Sequence, residues 1–491
     1  MITELRSRVT GTRVMRASGR YLGNPYASLQ LTLGAGGGLL FLGLLMSAST
    51  TISASLHTTG DNIWSQLIRE IVFLGLSIPV FWLAVRLPPA AYRRLAYPAL
   101  GLSVILLIGV LVPGVGATIN SAHRWIQLGP LTLQPSEFAK LAMLLWGADL
   151  LARKESLKTL NSAKHVMVPI VPGFIAMIAL IMLEPDLGTS LCFILILVGL
   201  LWMVGLPYRY FALILALVAA GVTAMAVTEP YRLQRLTSFL HPELDPQSHG
   251  FQALGGLWAL SSGGVFGVGL GRGTLKYGWV PNANTDYVFA VVGEELGLLG
   301  TTVVLLLFGL FTYSGMRIAF RSNDPFTRLV ASGAAIWIAG QALINMGYVT
   351  ALLPVTGIPL PFISNGGTSL ILTCGVLGMI VSFARHEPAA VQAAQRAAKL
   401  GTTARWVRWL RLGTPKTAVC AKRAAKPVAS PAAAGRATSG PVRPPAAARQ
   451  PRTHLAGAGT SATNDQRTVA RAAAPQRLRP TGTETTGRRA R

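Results

Sequence analysis

The sequence predicts an all-α, polytopic integral membrane protein with about ten transmembrane helices and a disordered basic C-terminal tail. Three observations support this class. Of the 491 residues, 51% are hydrophobic and only 13% are charged, whereas soluble domains average about 25% charged residues. Apolar runs near the ~20 residues that a bilayer core requires recur along the chain. The chain ends in a long segment of different composition, rich in Ala, Pro, Arg, Thr and Gly.

Hydropathy places ten spans in the chain. They cover residues 28–49, 67–87, 92–112, 135–152, 166–183, 187–206, 208–227, 288–315, 326–348 and 367–385. A basic cytoplasmic segment, residues 1–27, precedes them, and its five arginines make it too long and too basic for the lead of a cleavable signal peptide. Residues 28–385 therefore form the predicted membrane domain, with a large extracytoplasmic loop at 228–287.

The charges of the short loops test this topology independently. With the N-terminus inside, the short outer connections contain Arg124 as their one basic residue. Because basic loops stay on the cytoplasmic side, we predict an even number of spans with both termini cytoplasmic. The basic residues of the inner loops are Arg86, Arg93, Arg94, Arg153, Lys154, Lys158, Lys164, Arg209, Arg317, Arg321 and Arg328.

Most of the net charge of +26 belongs to the tail. From Arg385 to the C-terminus there are 21 Lys and Arg residues and 3 acidic ones, which leaves +8 for the first 384 residues. This distribution argues against a nucleic-acid-binding protein. Residues 386–491 cannot bury enough apolar surface to fold, so we predict disorder. A stretch around Trp406 and Trp409 is either a short interfacial helix or a basic segment on anionic lipid.

The sequence also excludes several other classes. Three cysteines, two of them in apolar runs, cannot build a disulfide framework or a zinc site. The sequence contains no P-loop, Rossmann glycine pattern or kinase motif, which argues against an ATP-driven transporter. Most polar residues that a bilayer should exclude lie on the predicted outer side, so the chemistry is expected there.

The first polar cluster lies around the start of the fourth span. Glu137 and Lys140 are three residues apart and share one helix face, which predicts an ion pair. Lys140 lies about one turn deeper and either serves only that pair or also contacts the substrate. Arg124, beside Trp125, is either a phosphate ligand or an arginine that reaches the membrane interface next to an aromatic residue.

The second cluster connects the fifth and sixth spans almost without a loop. It reads Glu184-Pro-Asp-Leu-Gly-Thr-Ser190. Because Asp186 stands at the positive end of the next helix, we expect it to cap that helix in a tight turn.

The third cluster combines a glycine-rich run, residues 261–273, with Arg272, Lys276 and Asp286. Glycines let backbone N–H groups approach an anion closely, and the two cations add positive charge. Packed membrane helices are also rich in glycine, so the run has two interpretations. Asp286 stands at the start of the eighth span, where it is a helix cap, a catalytic carboxylate, or both.

Two further segments follow this cluster. Glu294 and Glu295 do not share a helix face with Asp286, so we expect each to be buried with a Lys, an Arg or backbone as partner. Residues 353–369 contain three prolines and no charge, which predicts a loop packed on the outer surface or a re-entrant loop.

Together these motifs resemble those of the SEDS family of bacterial cell-wall polymerases. The resemblance covers about residues 26–385 and leaves the tail out. Members of the family have ten spans and cytoplasmic termini, and the chain is most similar to the division members, with the elongation members as the alternative. Two positions depart from the pattern, because Asn284 stands where the family often has His and Asn365 where it commonly has an aromatic residue. The motifs are Arg-Trp with Gln-Pro-Ser-Glu-Phe-Ala-Lys, Pro-Asp-Leu-Gly-Thr-Ser, Gly-Val-Gly-Leu-Gly, Thr-Asp-Tyr with Gly-Glu-Glu-Leu-Gly, and Leu-Pro-Val-Thr-Gly-Ile-Pro-Leu-Pro-Phe-Ile-Ser.

The resemblance implies a peptidoglycan glycosyltransferase that polymerises lipid II on the outer face of the cytoplasmic membrane during septal wall synthesis. It places the essential aspartate on Asp286 and conserved basic or ion-pair positions on Arg124, Glu137 and Lys140. The cations Arg124 and Lys140, with Arg272 and Lys276, are expected to meet the pyrophosphate of the substrate. A divalent cation, Mg²⁺ or Mn²⁺, is a further candidate for this role. The competing interpretations are a lipid II flippase with the same cavity and a division scaffold that acts through its tail.

The resemblance also implies partners and a location. A class B penicillin-binding transpeptidase and other division proteins are expected beside the chain at the septum. The basic tail is complementary in charge to the acidic C-terminal segment of the division protein FtsZ. No nucleic-acid partner is expected.

Overall fold

The computed structural model describes residues 22–57, 63–113, 116–119, 122–128, 131–157, 163–228, 249–400 and Pro415. All of them belong to the unit Met1–Lys426. The predictions for residues 1–21 and for the stretch around Trp406 and Trp409 lie outside the described residues.

Ten helices of the structure coincide with the ten predicted spans. Eight helices in the described part of the chain are long and apolar enough to cross a membrane. The fourth span, α4, contains the charges of the first polar cluster, and the seventh, α7, has a shorter apolar stretch, Tyr208–Gly221. The ten are α1 (Ala27–His57), α2 (Ile63–Arg86), α3 (Pro89–Leu111), α4 (Pro135–Ser156), α5 (Ala163–Leu183), α6 (Leu187–Val204), α7 (Tyr208–Thr228), α9 (Val288–Arg321), α10 (Pro325–Val349) and α11 (Gly367–Arg385), with α8 (His249–Gly263) between α7 and α9.

The helices begin and end where local chemistry requires it. Proline occupies the first turn of α3, α4 and α10, where its missing N–H costs no helical hydrogen bond. Asp324 caps α10 by accepting a hydrogen bond from the Thr327 backbone N–H at 3.1 Å. Gly205, in the left-handed region with φ +84°, ends α6.

The helix α10 is the centre of the bundle. In its apolar stretch 72% of the residues are buried, against 22% in α2 and in α3, which present apolar side chains outward. It packs on α9, α6 and α4, while α11 packs along α2. Residues that α10 holds in place are therefore anchored to a helix that is mostly buried.

A small antiparallel sheet, not predicted from the sequence, precedes α4. Its strands are β1 (Gly116–Ile119), β2 (Ala122–Leu128) and β3 (Leu131–Leu133), with β2 in the centre. Hydropathy cannot detect such strands because they are short and only partly apolar. The sheet matters because β2 carries Arg124.

The tail becomes helical immediately after the last span, which corrects the prediction of disorder from residue 386 onward. The helix α12 (Pro388–Lys399) buries Ala390 and Val391. The carboxylate of Glu387, just before it, pairs with Arg321 at 3.1 Å. These contacts stabilise a short stretch that composition alone assigns to the disordered segment.

Candidate functional site

A polar cavity of about 590 Å³ lies where the β-sheet, the α5–α6 turn, the residues before α9 and the segment 353–369 meet. Its size is that of a small-molecule site. The structure brings four of the predicted site residues into its lining: Asp286, Arg124, Glu137 and Lys140. The other polar lining residues are Arg69, Glu70, Thr132, Gln134, Asp186, Thr189, Asn282, Asn284, Thr285, Thr356, Asn365 and Ser369.

Asp286 presents its carboxylate to this cavity. The N-cap of α9 is Tyr287, so Asp286 lies just before the helix and does not cap it. The side chain is half-buried, and no described group donates a hydrogen bond to its carboxylate. The fold thus fixes the position of this carboxylate, and no described residue forms a hydrogen bond or an ion pair with it.

The surroundings of Asp286 make it a better base than an ordinary aspartate. Burial raises the pKa of its carboxyl to about 6, the negative charge of Asp186 acts in the same direction, and Arg124 partly offsets both. A carboxyl with this pKa is mostly ionised at neutral pH and still accepts a proton more readily than a solvated aspartate.

Two buried side chains of α10 fix the backbone at Asp286. Asn345 Nδ2 donates to the carbonyl oxygens of Asp286 at 2.9 Å and Ile358 at 2.8 Å. The hydroxyl of Tyr348 lies 2.9 Å from the first oxygen and 2.7 Å from the second. The central helix therefore ties the start of α9 to the proline-rich segment.

The proline-rich segment forms the wall of the cavity beside Asp286, as a loop packed on protein. The Ser364 hydroxyl donates to the Thr285 carbonyl at 2.6 Å, and the Asn365 N–H donates to the Asn284 carbonyl at 2.9 Å. Gly357 has φ +69°, and a Cβ there would lie 3.7 Å from Asp286 Oδ2. The positive φ is what favours glycine at this position, since a Cβ would make only an ordinary contact with the carboxylate.

Arg124 links the sheet to the α5–α6 turn. Its Nε donates to the Glu184 carbonyl at 2.9 Å, its Nη2 donates to the Pro185 carbonyl, and its Nη1 lies 3.8 Å from Asp186 Oδ1. Asp186 in turn caps α6 by accepting from the Thr189 N–H at 3.0 Å, which confirms the capping prediction. Asp186 also lines the cavity, a second role that capping alone did not predict.

The predicted ion pair between Glu137 and Lys140 is confirmed. Lys140 Nζ lies 2.7 Å from Glu137 Oε1, and both side chains are buried. The same ammonium lies 5.3 Å from the ring centroid of Trp337 and 3.5 Å from Gln341 Oε1. The pair places one positive and one negative charge in the lining of the cavity, at the first turns of α4.

Lys276 and Arg272 are not brought to the cavity. Lys276 is buried, and its Nζ lies 2.7 Å from Glu295 Oε1 and 2.7 Å from the Ser49 hydroxyl. Arg272 is exposed and is not among the cavity-lining residues. The structure therefore separates the two cations of the third cluster from Asp286.

Backbone N–H groups at the end of the glycine-rich run and just after it bind anions, but these anions are carboxylates of the chain itself. The N–H groups of Thr274 and Leu275 donate to Glu294 Oε1 at 2.7 and 3.1 Å, and that of Gly271 donates to Glu295 Oε2 at 3.1 Å. The phosphate-loop interpretation is thus replaced by a structural one, since protein carboxylates occupy these donors. The prediction that Glu294 and Glu295 are buried with Lys or backbone partners is confirmed.

The geometry does not identify a metal site. Within the described part of the chain, no three His, Cys, Asp or Glu side chains are grouped to hold a metal ion. Arg124 already lies beside Asp186, the carboxylate whose charge acts on Asp286. Because Mg²⁺ is often held by one or two carboxylates together with substrate phosphates, the Mg²⁺ or Mn²⁺ prediction stays a prediction.

Four residues at the site were not predicted from the sequence: Arg69, Glu70, Asn345 and Tyr348. The carboxylate of Glu70 accepts hydrogen bonds from the Ser47 hydroxyl and the Asn365 amide. A signal for three of these residues was present, because Arg69, Glu70 and Asn345 are polar residues inside predicted spans, where each has a cost. Tyr348 gave no such signal, since its role depends on a backbone carbonyl.

The fold and the cavity define a multi-pass membrane protein with an ionisable cavity among its helix ends. Comparison with known proteins agrees with this class. The family described as "Cell cycle protein", named for FtsW, RodA and SpoVE, matches residues 30–389. The chain belongs to this family.

Two curated relatives show how far the similarity extends. The chain is 40% identical over 375 residues to the "Probable peptidoglycan glycosyltransferase FtsW" of Mycobacterium tuberculosis, which covers 76% of this chain and 71% of the relative. It is 34% identical over 349 residues to the Stage V sporulation protein E of Bacillus subtilis, covering 71% of this chain and 94% of the relative.

Solved structures share the fold. A chain of a peptidoglycan synthase complex, studied for its coordination of polymerization and crosslinking, superposes with a TM-score of 0.58 at 30% identity and covers 72% of this chain and 98% of its own length. The rod shape determining protein RodA of Thermus thermophilus gives a TM-score of 0.50 at 30% identity, covering 72% and 97%.

Proposed function

We propose that the chain is a peptidoglycan glycosyltransferase that polymerises lipid II into glycan strands. One observation carries the proposal: the carboxylate of Asp286 faces a polar cavity without a described partner, with the cations Arg124 and Lys140 in the same lining. The relative from Mycobacterium tuberculosis, whose name specifies this activity, supports the choice of reaction.

In the proposed reaction Asp286 is the general base. Its carboxylate accepts the proton of the GlcNAc 4-hydroxyl of the acceptor, and the oxygen attacks the anomeric carbon of MurNAc at the reducing end of the donor strand. The bond from that carbon to the pyrophosphate breaks, and undecaprenyl pyrophosphate leaves with the electron pair. The attack comes from the face opposite the leaving group, so the anomeric configuration inverts.

The leaving group determines what else the cavity must supply. A pyrophosphate leaves without a general acid, but its growing negative charge has to be stabilised. Arg124 and Lys140 line the cavity and are assigned this role, while Arg272 and Lys276, predicted for it from the sequence, lie outside the lining. A divalent cation delivered with the substrate remains part of the proposal for this step.

The cellular setting follows from the relatives. Because the curated relative is named FtsW and a structural neighbour belongs to a complex that couples polymerization to crosslinking, we assign the chain to septal wall synthesis with a class B transpeptidase partner. The proposed location is the cytoplasmic membrane at the septum, with both termini inside. Binding of the tail to FtsZ is a proposal that rests on charge.

A two-part assay tests the proposed function. The protein and its transpeptidase partner are reconstituted in vesicles with fluorescent lipid II, and glycan chains and lipid translocation are scored in the same sample. We expect glycan chains from the wild type, none from Asp286→Asn, and no translocation beyond protein-free vesicles. Translocation without glycan chains would make the chain a flippase and overturn the proposal.

A further inference from the structure

The amide side chains that line the polar cavity fall into two groups. Gln134 and Asn365 each donate a hydrogen bond to a carboxylate of the chain. Asn282 and Asn284 line the same cavity, but their side chains form no hydrogen bond with any group in the described part of the chain. Each of these two carboxamides therefore has donors and an acceptor available to a ligand.

The backbone that carries the two available amides is fixed by the fold. The carbonyl of Asn282 accepts hydrogen bonds from the N–H groups of Thr285 at 3.0 Å and Tyr287 at 3.2 Å. Asn282 itself has φ +54°, a left-handed conformation that asparagine adopts more readily than most residues. The carbonyl of Asn284 accepts from the Asn365 N–H at 2.9 Å. Both residues thus use their backbone for structure and present their side chains to the cavity.

The location of these amides beside Asp286 indicates which part of a substrate they meet. Asn284 precedes Asp286 by two residues and Asn282 precedes it by four, all in the loop before α9. The cations Arg124 and Lys140 come from β2 and α4 instead. A phosphate at the loop would meet the negative charge of Asp286, whereas an uncharged part of the substrate would not. The loop therefore suits a sugar ring better than a phosphate.

We propose that Asn282 and Asn284 bind the acceptor sugar through the hydroxyls next to the one that reacts. This inference rests on the proposed function, in which Asp286 takes the proton of the GlcNAc 4-hydroxyl. In that pyranose the 3-hydroxyl and the 6-hydroxyl flank the 4-hydroxyl, so groups near Asp286 are the ones that meet them. A carboxamide donates to a hydroxyl and accepts from it, and it adds no charge beside the base.

The proposal assigns the acceptor and the donor to different groups of the cavity. The acceptor sugar contacts the loop before α9, and the pyrophosphate of the donor contacts the cations of β2 and α4. Asn282 and Asn284 are therefore binding residues for the acceptor. Their loss should weaken acceptor binding and leave donor binding unchanged.

A single-coupling assay with the full-length protein and its transpeptidase partner separates the two substrates. The donor is lipid II methylated on the GlcNAc 4-hydroxyl, which cannot act as an acceptor. The acceptor is a lipid II analogue in which carbon replaces the anomeric oxygen, so that it cannot act as a donor. One glycosidic bond then forms per pair, and the KM of each substrate is measured separately.

The variants remove the amides and preserve the loop backbone. Asn282→Gly keeps access to the left-handed conformation, and Asn284→Ala shortens the second side chain to its Cβ. The matched control is Asn323→Ala, in the connection between α9 and α10. It removes an exposed amide that likewise has no hydrogen-bonding partner among the described residues.

We expect Asn282→Gly and Asn284→Ala each to raise the KM of the acceptor about 3- to 10-fold, the share of one neutral hydrogen bond. The KM of the donor should stay the same, and Asn323→Ala should alter neither value. An unchanged acceptor KM in either variant would overturn the proposal for that residue. An equal rise in both KM values would also overturn it, because a displaced loop affects both substrates.

Acceptors that lack one hydroxyl test whether the contact is direct. The 3-deoxy and 6-deoxy forms of the acceptor are compared in the wild type and in both variants. If an asparagine binds a hydroxyl, removing either partner raises the KM and removing both adds little. We expect each asparagine to show this non-additivity with one of the two analogues. Fully additive effects with both analogues would refute a contact with these hydroxyls.

The result is separable from the proposed function. A wild type that forms no glycosidic bond in this assay would refute the glycosyltransferase. Binding of the acceptor analogue to the protein in detergent, weakened by Asn284→Ala and not by Asn323→Ala, would then still sustain the sugar site. Bond formation with an unchanged acceptor KM in both loop variants would sustain the function and refute this inference.

Discussion

Two polar regions near the N-terminal end of α9 look alike in sequence and differ in the structure. Around Glu294 and Glu295, the glycine-rich run and Lys276 supply donors for the carboxylates of the chain itself. Around Asp286, the fold holds the backbone with Asn345 and Tyr348 and provides no described donor to the carboxylate. The carboxylates of the first region are bound by groups of the chain, whereas the carboxylate of the second faces a cavity.

The difference teaches how to separate structural from functional charge in a membrane protein. When a buried charge pairs with another group of the same chain, the pair offsets the desolvation cost and holds two segments together. A charge that no group of the chain pairs with keeps its desolvation cost. Such a charge therefore indicates a role in binding or catalysis. On this criterion Glu295 and Lys276 are structural and Asp286 is functional. Arg124 and Lys140 combine the two roles, because groups of the chain hold them and they also line the cavity.

The largest expected effect is on stability in the region around Glu294 and Glu295. Lys276→Met leaves Glu295 buried without its partner, so we expect a loss of about 3–5 kcal/mol and a lower thermal midpoint in detergent. Adding Glu295→Gln should recover part of that loss. Asp286→Asn is the contrast and should unfold at or above the wild-type temperature. A midpoint unchanged by Lys276→Met would show that the pair does not hold the region together.

Removing the backbone supports of Asp286 should lower activity more than stability. We expect Tyr348→Phe and Asn345→Ala each to reduce kcat about 10-fold or more with little change in KM, because the carboxylate is misplaced rather than lost. The measure is the steady-state rate of lipid II polymerisation. The matched control is Tyr92→Phe, which removes a buried hydroxyl that donates to the Ala84 carbonyl at 2.6 Å far from the cavity. Equal losses in Tyr92→Phe and Tyr348→Phe would mean a general packing effect.

The pH dependence of the polymerisation rate should report the pKa of the general base. Since the pKa of Asp286 is raised to about 6, the rate should rise with pH through about 6 and then level off. Asp186→Asn keeps the cap of α6 but removes a charge that raises this pKa, so the rise should move to lower pH. Asp324→Asn, a cap at the start of α10, should leave the profile unchanged. A rise that stays in place in Asp186→Asn would contradict the electrostatic account.

The smallest effect concerns Glu184, a buried carboxyl in the same turn. Burial, with the charge of Asp186 second and Arg124 in opposition, raises its pKa to about 8, so the folded protein carries it protonated at pH 7. Glu184→Gln should therefore leave the rate at pH 7 unchanged. Because the unfolded chain loses this proton near its usual pKa of 4.5, wild-type stability should fall from about pH 5 to 8. In Glu184→Gln this decrease in stability should be absent. Thermal midpoints measured from about pH 5 to 8 test this.

The fold follows from the sequence where long-range hydropathy decides it. All ten predicted spans are helices, because a run of apolar residues has few other ways to satisfy its backbone in a bilayer. The sheet around Arg124 escaped prediction because its strands are too short to show a period. The helix α12 escaped it because alanine-rich composition does not reveal the contacts of Ala390 and Val391.

The site was predictable to a similar extent. Asp286 and the pair Glu137–Lys140 were found from charge at span ends and from resemblance, and the structure places them in one cavity. The roles expected for Arg272 and Lys276 depended on a glycine run whose donors are used by Glu294 and Glu295, a long-range pairing that no local pattern displays. Arg69 lies inside a predicted span, and only the structure shows that it lines the cavity.

The central claim is that the carboxylate of Asp286 takes the proton in the polymerisation step. The most direct test is the rate of lipid II polymerisation by Asp286→Asn and Asp324→Asn, each purified with the transpeptidase partner. We predict a loss of at least about 100-fold for Asp286→Asn, the usual share of a general base, with wild-type activity for Asp324→Asn. Wild-type polymerisation by Asp286→Asn would contradict the account.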